Sequence, residues 1–266
     1  MQITILSDNR PGNRQDLKTE HGLSILIRTD DKCILCDTGA SSLYAENALA
    51  IGTDLSEVDF CFISHAHNDH TGGLRHFLEH SDNPVFISSE AFATRCFSSR
   101  RGERRDISAD HTLAEKYPER FTYIKESSEI AEDIYAVVPK DMGYPTPLGN
   151  SWIEDDLAHE LALAIKTTDG LVIISSCSHH GALNIMESCC QVTGETRIAA
   201  FFGGLHFVDG PDTGRETDSF CNSLSSVHPE TKVFTGHCTG NDAELHIYYI
   251  KASQIQFFHT GDQFPI

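Results

Sequence analysis

A segment of ten residues, Ser64 to Gly73, concentrates metal-binding side chains in one short part of the chain. It follows the apolar run 59–63, which is typical of a buried strand, so the chain enters the segment from a rigid element. Two glycines at its end allow the backbone to bend into a helix. Within six positions it contains His65, His67, Asp69 and His70. We therefore expect a loop of polar ligands at the end of a buried strand.

The spacing of these four side chains suits metal binding. Beyond the strand, His65 and His67 are expected to project to the same side, while Asp69 and His70 begin the turn. One pair can therefore hold one metal ion and the other pair a second. Imidazole and carboxylate groups favour zinc, with manganese and iron as competitors. The alternative is a polar loop whose histidines lie at the surface.

Residues 65–70, His-Ala-His-Asn-Asp-His, resemble the His-x-His-x-Asp-His signature of the metallo-β-lactamase superfamily. Residues 176–179, 203–206 and 235–240 resemble, in order, the Gly-Cys-Ser-His, Gly-Gly-Phe-His and Gly-His-Cys-Thr-Gly motifs of one branch. That branch contains metallohydrolases similar to 7,8-dihydropterin-6-yl-methyl-4-(β-D-ribofuranosyl)aminobenzene 5'-phosphate synthase. The resemblance covers nearly the whole chain. The chain departs from the branch motifs at two positions, with Ser176 in place of Gly and Leu205 in place of Phe. These changes leave the ligands intact but make the shape of the pocket less transferable.

The resemblance implies an α/β (α+β) fold of the metallo-β-lactamase type. This is an αββα sandwich in which two mixed β-sheets face each other with helices outside. The pattern of strands and hairpins, followed by helices in each half of the chain, agrees with it. No Pro/Gly/Ser run separates two halves, so residues 1–266 are predicted to form one domain. Residues 91–120 are predicted to form a flap over the active site.

The resemblance also implies two divalent metal ions and assigns their ligands. The first ion is assigned to His65, His67 and His179, and the second to Asp69, His70 and His237. Zinc is the expected metal, with manganese or iron as alternatives.

Further residues are predicted to act beside these ligands. Asp69 is expected to orient the nucleophile as well as bind metal. His206 is expected to contact substrate or transfer a proton, with metal binding as its alternative. Cys177 either bridges the metal ions or lies buried beside them, and Asp37 either orients a ligand histidine or forms a turn. Glu160 and His159 are further residues that could approach the metal centre, because other branches of the superfamily take a ligand from the strand that precedes this hairpin.

Residues 91–120 carry a local cluster of positive charge in an acidic chain. The cluster consists of Arg95, Arg100, Arg101, Arg104 and Arg105. Guanidinium groups in a flap can bind a phosphate or carboxylate of the substrate with two hydrogen bonds. The alternative is a solvated loop whose arginines pair with the acidic surface.

The formal net charge of −19 argues against a nucleic-acid or anionic-membrane binder, because both would be repelled over most of the surface. This net charge does not exclude a small anionic substrate, because bound metal ions can reverse the local electrostatic field. The nine cysteines, an odd number, and the absence of a signal sequence at the start indicate a reduced, cytoplasmic setting. A homodimer is left open.

These observations predict a metal-dependent hydrolase. A hydroxide activated by a dinuclear centre would attack an anionic phosphoester or cyclic phosphodiester. Two enzymatic alternatives keep the metal chemistry: a lactone or thioester hydrolase, favoured by an apolar pocket, and a pterin-linked synthase as implied by the branch. The non-enzymatic alternative is a metal-containing ligand-binding protein.

Overall fold

The computed structural model describes residues 1–93, 95–100 and 102–266. Its strands, β1 to β17 in chain order, are Gln2–Ser7, Ser24–Arg28, Cys33–Cys36, Phe60–Phe62, Val85–Ser88, Phe97–Ser98, Arg105–Asp106, Phe121–Ile124, Ser128–Ala131, Ile134–Val137, Ile153–Glu154, Ala162–Thr167, Gly170–Ile174, Ile198–Phe202, Lys232–Thr235, Ile255–Phe257 and Gln263–Pro265. Its α-helices, α1 to α7, are Leu43–Ile51, Asn68–Thr71, Leu74–His80, Thr112–Lys116, Ala182–Thr193, Thr213–Val227 and Asn241–Ile250. Short 3-10 helices cover Leu55–Glu57, Pro118–Arg120 and Leu148–Trp152.

The chain divides into two compact units. Unit 1 consists of Met1–Lys125, Ile153–His159 and Phe258–Ile266, and unit 2 of Glu126–Trp152 and Glu160–Phe257. The prediction that residues 1–266 form one domain stays a prediction, as does the role of residues 91–120 as a flap.

Unit 1 is built on a seven-stranded mixed sheet in the order β17-β1-β2-β3-β4-β5-β8. Strands β1 to β3 form antiparallel pairs, whereas β3, β4, β5 and β8 run parallel. A small second sheet, β11-β6-β7, joins part of the segment 91–120 to the short return segment 153–159. Because parallel strands end at the same edge of a sheet, the segments after β3 and β4 are brought together.

The core of unit 1 lies between this sheet and helices α1 and α3. Leu35 and Cys61 on neighbouring strands belong to one buried cluster with Tyr44 of α1 and Phe77 of α3. Strand β3, Cys-Ile-Leu-Cys, is buried along its whole length. Continuous apolar runs of this kind are typical of parallel strands, which are covered on both faces. Cys33 and Cys36 are buried in this strand and pack as small hydrophobic residues.

Unit 2 has its own seven-stranded mixed sheet in the order β16-β15-β14-β13-β12-β10-β9. Strands β13 to β16 are parallel, and β12 pairs antiparallel with β13 through a hairpin. Helix α5 packs on this sheet, and Leu183 and Met186 share a buried cluster with Ile173 and Phe201. The loops after β13, β14 and β15 therefore leave the same edge of the sheet.

Two mixed sheets with helices confirm the predicted mixed α/β class. The apolar run 59–63, predicted to be a buried strand, contains β4, which is buried along its whole length. Strands β9 and β17 had no sequence signal strong enough to predict them, because both are short and partly exposed. In the part of the chain that the structure describes, no helix combines the length and the apolar character that a membrane crossing requires.

Candidate metal centre

In unit 1, the predicted ligand loop leaves β4 and turns directly into α2. His65, His67 and His70 are almost completely buried. The ring centroid of His65 lies 4.7 Å from that of His67 and 4.1 Å from that of His70. The turn requires Gly72, because a Cβ at this position would lie 2.1 Å from the carbonyl oxygen of Ala40. The three imidazoles of this short loop therefore lie close together and are buried.

Asp37, directly after β3, accepts three hydrogen bonds from this loop. Its carboxylate accepts hydrogen bonds from the Ser64 amide at 2.8 Å, the Ser64 hydroxyl at 2.6 Å and Nδ1 of His70 at 2.8 Å. Because the single hydroxyl proton of Ser64 goes to Asp37, the 2.8 Å contact between Ser64 Oγ and His65 Nδ1 requires the imidazole to donate. Both histidines thus carry a proton on Nδ1, which makes Nε2 the coordinating nitrogen of each. Asp37 thus contacts one of the predicted ligand histidines, and its role toward a metal stays a prediction.

His67 is held by a carboxylate that lies 88 positions away in the sequence. Its Nε2 donates to Oδ2 of Asp155 at 2.9 Å, and both side chains are buried. Burial lowers the pKa of His67, so the ring is neutral and Nδ1 carries no proton. Burial alone would raise the pKa of Asp155, but hydrogen bonds from His159 and His67 lower it well below its usual value. Sequence reasoning did not identify Asp155.

Asp69 is the most exposed of the four predicted ligands in the loop. Its side chain is 20% exposed, and its Oδ2 lies 3.5 Å from His21 Nε2 and 3.8 Å from His70 Nε2. A carboxylate that is partly open to solvent and adjacent to a ligand histidine suits the predicted role of orienting a nucleophile. The position of His21 beside it was not predicted.

In unit 2, three loops at the same edge of the sheet carry the remaining predicted residues. Ser178, His206 and His237 follow β13, β14 and β15, and each has a left-handed backbone with φ of 58°, 55° and 51°. Asp37 in unit 1 has the same property, with φ of 59°. Non-glycine residues rarely adopt this conformation, and such residues concentrate at functional sites. The backbone conformation therefore supports a functional role for these loop positions, independently of the motifs.

The donor atoms in unit 2 form two overlapping groups. Those of Cys177, His179 and His206 lie within 4.8 Å of one another, and so do those of Cys177, His237 and Cys238. The ring centroids of His179 and His206 are 4.3 Å apart. Cys177 belongs to both groups, a position consistent with the bridging role predicted as one of its alternatives.

Two polar side chains fix the loop that carries His179. Asn150 accepts from His179 Nδ1 at 2.9 Å and donates to the His179 carbonyl at 2.7 Å, so the ring carries its proton on Nδ1. Glu160 accepts from the amides of His179 and His180 at 2.7 and 2.8 Å and from Nδ1 of His180 at 2.7 Å. Although burial opposes the charged form, Glu160 raises the pKa of His180. Within unit 2, Glu160 therefore anchors this loop.

Cys238 is a further candidate ligand that the motif contained but sequence reasoning did not select. Burial would raise its pKa, yet hydrogen bonds from Cys177 and His206 lower it, which favours the thiolate. A Cβ on Gly204 would lie 2.2 Å from Cys238 Sγ, so glycine is required where the two loops meet. Thiolate is a strong zinc ligand.

Each unit carries donors of the types that zinc takes in proteins. Unit 1 has the imidazoles of His65, His67 and His70 and the carboxylate of Asp69, and unit 2 has the imidazoles of His179 and His237 and the thiols of Cys177 and Cys238. Hydrogen bonds set the tautomers of His65, His67, His70 and His179, as they do for metal-binding histidines. The predicted assignment of particular ligands to each of two metal ions takes residues from both units and stays a prediction.

The predicted arginine cluster lies near carboxylates. Arg95 pairs with Asp106 at 2.8 Å, and Arg105 lies 3.8 Å from Glu103. Arg104 donates to Glu154 at 2.7 Å and stacks 3.4 Å above the Phe97 ring. Arg100 is exposed, and no described carboxylate pairs with it. Arg101 lies outside the described residues.

Unit 2 also contains a cavity of about 330 Å³. Its walls are mostly apolar and include Tyr144, Leu148, Phe207 and Phe220. Glu216 lines the same cavity and accepts a hydrogen bond from the Leu148 amide at 2.7 Å. Phe207, which lines the cavity, directly follows His206 in the chain.

Histidines, cysteines and carboxylates that could hold a metal ion follow the ends of parallel strands in this α/β protein. The chain belongs to the metallo-beta-lactamase superfamily, whose sequence pattern matches residues 17–156. It is 27% identical to the 7,8-dihydropterin-6-methyl-4-(beta-D-ribofuranosyl)-aminobenzene-5'-phosphate synthase of Methanocaldococcus jannaschii, over 92% of this chain and 89% of that protein. These findings confirm the family and the branch resemblance.

Solved structures agree with this assignment. The chain is similar to Tm1679, a metal-dependent hydrolase of the beta-lactamase superfamily, with 27% identity, a TM-score of 0.78 and coverage of 100% of this chain and 99% of that one. It also resembles Zn²⁺-bound PqqB from Methylobacterium extorquens, with 12% identity, a TM-score of 0.62 and 100% coverage of both chains. The second likeness shows the fold alone.

Proposed function

We propose that this protein is a metal-dependent hydrolase that acts on an anionic phosphoester or cyclic phosphodiester. The observation that carries the proposal is the set of hydrogen bonds that orient the candidate ligands. In unit 1, Asp37 holds His70 and Asp155 holds His67, and in unit 2, Asn150 holds His179. Such partners fix the tautomer and direction of metal-binding histidines.

Bound divalent ions supply water of lowered pKa and polarise an oxygen of the substrate. The residues of the chain then have separate roles. The buried histidines hold the ions, and the partly exposed carboxylate of Asp69 orients the attacking water. His206, in its left-handed loop, contacts the substrate or gives a proton to the leaving oxygen.

One likeness supports hydrolysis, and another supports a phosphate-containing substrate. Tm1679 is described as a metal-dependent hydrolase, and the name of the relative from Methanocaldococcus jannaschii includes a 5'-phosphate. The cavity beside His206 would take the organic part of the ester, since its walls are mostly apolar. A small anionic substrate with an apolar ring fits both features.

A second candidate is a lactone or thioester hydrolase. The same apolar cavity favours it, and the pairing of Arg95 and Arg104 with carboxylates weakens the case for an anion-binding flap. A third candidate, a pterin-linked synthase, rests on the name of the relative alone and has no independent support from the geometry.

The test combines metal content with turnover. Purified protein is analysed for zinc, manganese and iron, and then assayed with p-nitrophenyl phosphate, bis-p-nitrophenyl phosphate and a lactone. Asp69→Ala is compared with Asp82→Ala, a matched change at an exposed aspartate. Bound metal with diesterase activity that only Asp69→Ala abolishes supports the proposal. Turnover of the lactone alone favours the second candidate, and a metal-free protein without turnover overturns both.

A further inference from the structure

Asp155 occupies a buried position between two histidines of unit 1. Its side chain is 1% exposed, and its two oxygens have different partners. Oδ2 accepts from His67 Nε2 at 2.9 Å, whereas Oδ1 accepts from the Leu157 amide at 2.6 Å and lies 3.5 Å from His159 Nε2. The carboxylate is thus held by its own backbone turn and directed at His67.

His159 connects this carboxylate to the backbone of the ligand loop. The amide of Ala66, between His65 and His67, donates to His159 Nδ1 at 3.2 Å. Because Nδ1 accepts this bond, the ring proton of neutral His159 resides on Nε2. That nitrogen faces Asp155 Oδ1 and lies 3.5 Å from Cys96 Sγ. The backbone amide of Ala66 therefore sets the tautomer of His159.

These residues also have the composition of a separate metal site. Donor atoms of His67, Cys96, Asp155 and His159 lie within 4.8 Å of one another. A metal ion on His159 Nε2 would require the ring proton on Nδ1, where it would face the Ala66 amide proton across 3.2 Å. Two donors at that distance repel each other, so the hydrogen-bonded arrangement is favoured over a fourth-ligand role for His159.

We infer that Asp155 is a positioning residue that sets the tautomer and direction of His67, and that His159 fixes Asp155 against the ligand loop. The inference rests on the proposed function, in which His67 binds metal. With its proton donated from Nε2 to Asp155, His67 presents Nδ1 for coordination. His65 and His70 present the opposite nitrogen, since each donates from Nδ1.

The path of the chain agrees with this role. The segment Ile153–His159 belongs to unit 1, although the residues before and after it belong to unit 2. Only the two-residue strand β11 gives this segment regular structure. Its principal buried polar contacts are those of Asp155 and His159 with the ligand loop and Cys96.

The experiment compares Asp155→Ala and Asp155→Asn with Asp156→Asn. Asp156 is the adjacent exposed aspartate, and it caps the Ala158 amide at 3.1 Å without contacting the histidines. Long-range nitrogen–proton NMR correlations of the metal-free protein report the His67 tautomer, and competition with a chromophoric chelator reports zinc affinity. Circular dichroism verifies that each variant is folded, and Asp155→Asn provides an isosteric variant should Asp155→Ala fail to fold.

We expect the proton on Nε2 of His67 in the wild type and in Asp156→Asn, and a mixture of tautomers in Asp155→Ala. Zinc affinity is expected to fall about 10- to 100-fold in Asp155→Ala and less in Asp155→Asn. An unchanged tautomer and unchanged zinc affinity in Asp155→Ala would overturn the inference. A wild type that binds no divalent metal would overturn the proposed function, while the tautomer measurement would still test the contact itself.

Cys96→Ala distinguishes positioning from the separate metal site. Positioning by hydrogen bonds leaves the number of bound metal ions unchanged in this variant, because the thiol accepts only a weak contact from His159. Loss of one metal ion per chain would instead show that the four donors bind metal, and the inference would be wrong.

Discussion

Nδ1 of His70 donates to Oδ2 of Asp37 at 2.8 Å, and both side chains are fully shielded from solvent. Asp37 directly follows β3, and His70 lies in α2, after the loop that leaves the neighbouring parallel strand β4. The same carboxylate binds the amide and hydroxyl of Ser64. One buried carboxyl group therefore fixes two positions of the first ligand loop, Ser64 and His70.

Asp37→Ala is expected to damage both stability and metal binding. It leaves the Ser64 and His70 donors buried without their acceptor, which costs about 1–3 kcal/mol for each unsatisfied group. Zinc affinity should fall about 10- to 100-fold, because His70 loses its orientation. Thermal unfolding and chelator competition measure the two effects. Asp30→Asn, at an exposed aspartate of the hairpin between β2 and β3, is the control, and an equal loss there would contradict the explanation.

Gly204→Ala tests the close approach between two loops of unit 2. The added Cβ would lie 2.2 Å from Cys238 Sγ and 2.9 Å from the Ser176 carbonyl oxygen, so the loops must separate. We expect a loss of about 1–3 kcal/mol in unfolding free energy, as for overpacking elsewhere, together with weaker metal binding. Gly210→Ala is the matched control, since its nearest neighbour, the Val208 carbonyl oxygen, is 3.8 Å away. Equal unfolding temperatures for the two variants would refute this prediction.

The elements and the first ligand loop were predictable because their signals are local. Apolar runs mark β3 and β13, and the His-x-His-x-Asp-His spacing lies within six positions. The hydrogen bond between Asp37 and His70 was only one of two alternatives from sequence. Its geometry depends on the pairing of two strands, which a single sequence does not specify.

Asp155 and Asn150 could not be predicted by the same reasoning. Asp155 is 88 positions from His67, and Asn150 is 29 positions from His179. Asp155 lies in an irregular segment and Asn150 in a short 3-10 helix, and neither segment has hydrophobic periodicity, so nothing in the sequence places them near a histidine. The left-handed backbones of His206 and His237 were equally hidden, because neither residue is a glycine. The signal for Cys238 was present in the motif and was overlooked.

The arginine cluster can be tested by comparing two of its members. Arg104→Ala removes a cation that already pairs with Glu154 and stacks on Phe97. Arg100→Ala removes an exposed cation with which no described carboxylate pairs. If the segment binds the anionic substrate, we expect KM for bis-p-nitrophenyl phosphate to rise several-fold in Arg100→Ala and to change little in Arg104→Ala. Steady-state kinetics at low ionic strength measure this difference, and identical KM values in both variants would remove Arg100 from the proposed site.

Glu216 gives unit 2 a stability that depends on pH. Burial raises the pKa of Glu216 above its ordinary value, so the folded state binds this proton more tightly than the unfolded state does. Its stabilising contribution is therefore complete below the unfolded pKa of about 4.3 and is lost as pH rises through the folded pKa. Glu216→Gln keeps an acceptor for the Leu148 amide but cannot ionise. As pH rises across this window, the wild type should lose unfolding free energy relative to the variant. Urea titrations of both proteins from pH 4 upward measure this difference. A difference that stays constant with pH would show that Glu216 does not titrate with a raised pKa in the folded protein.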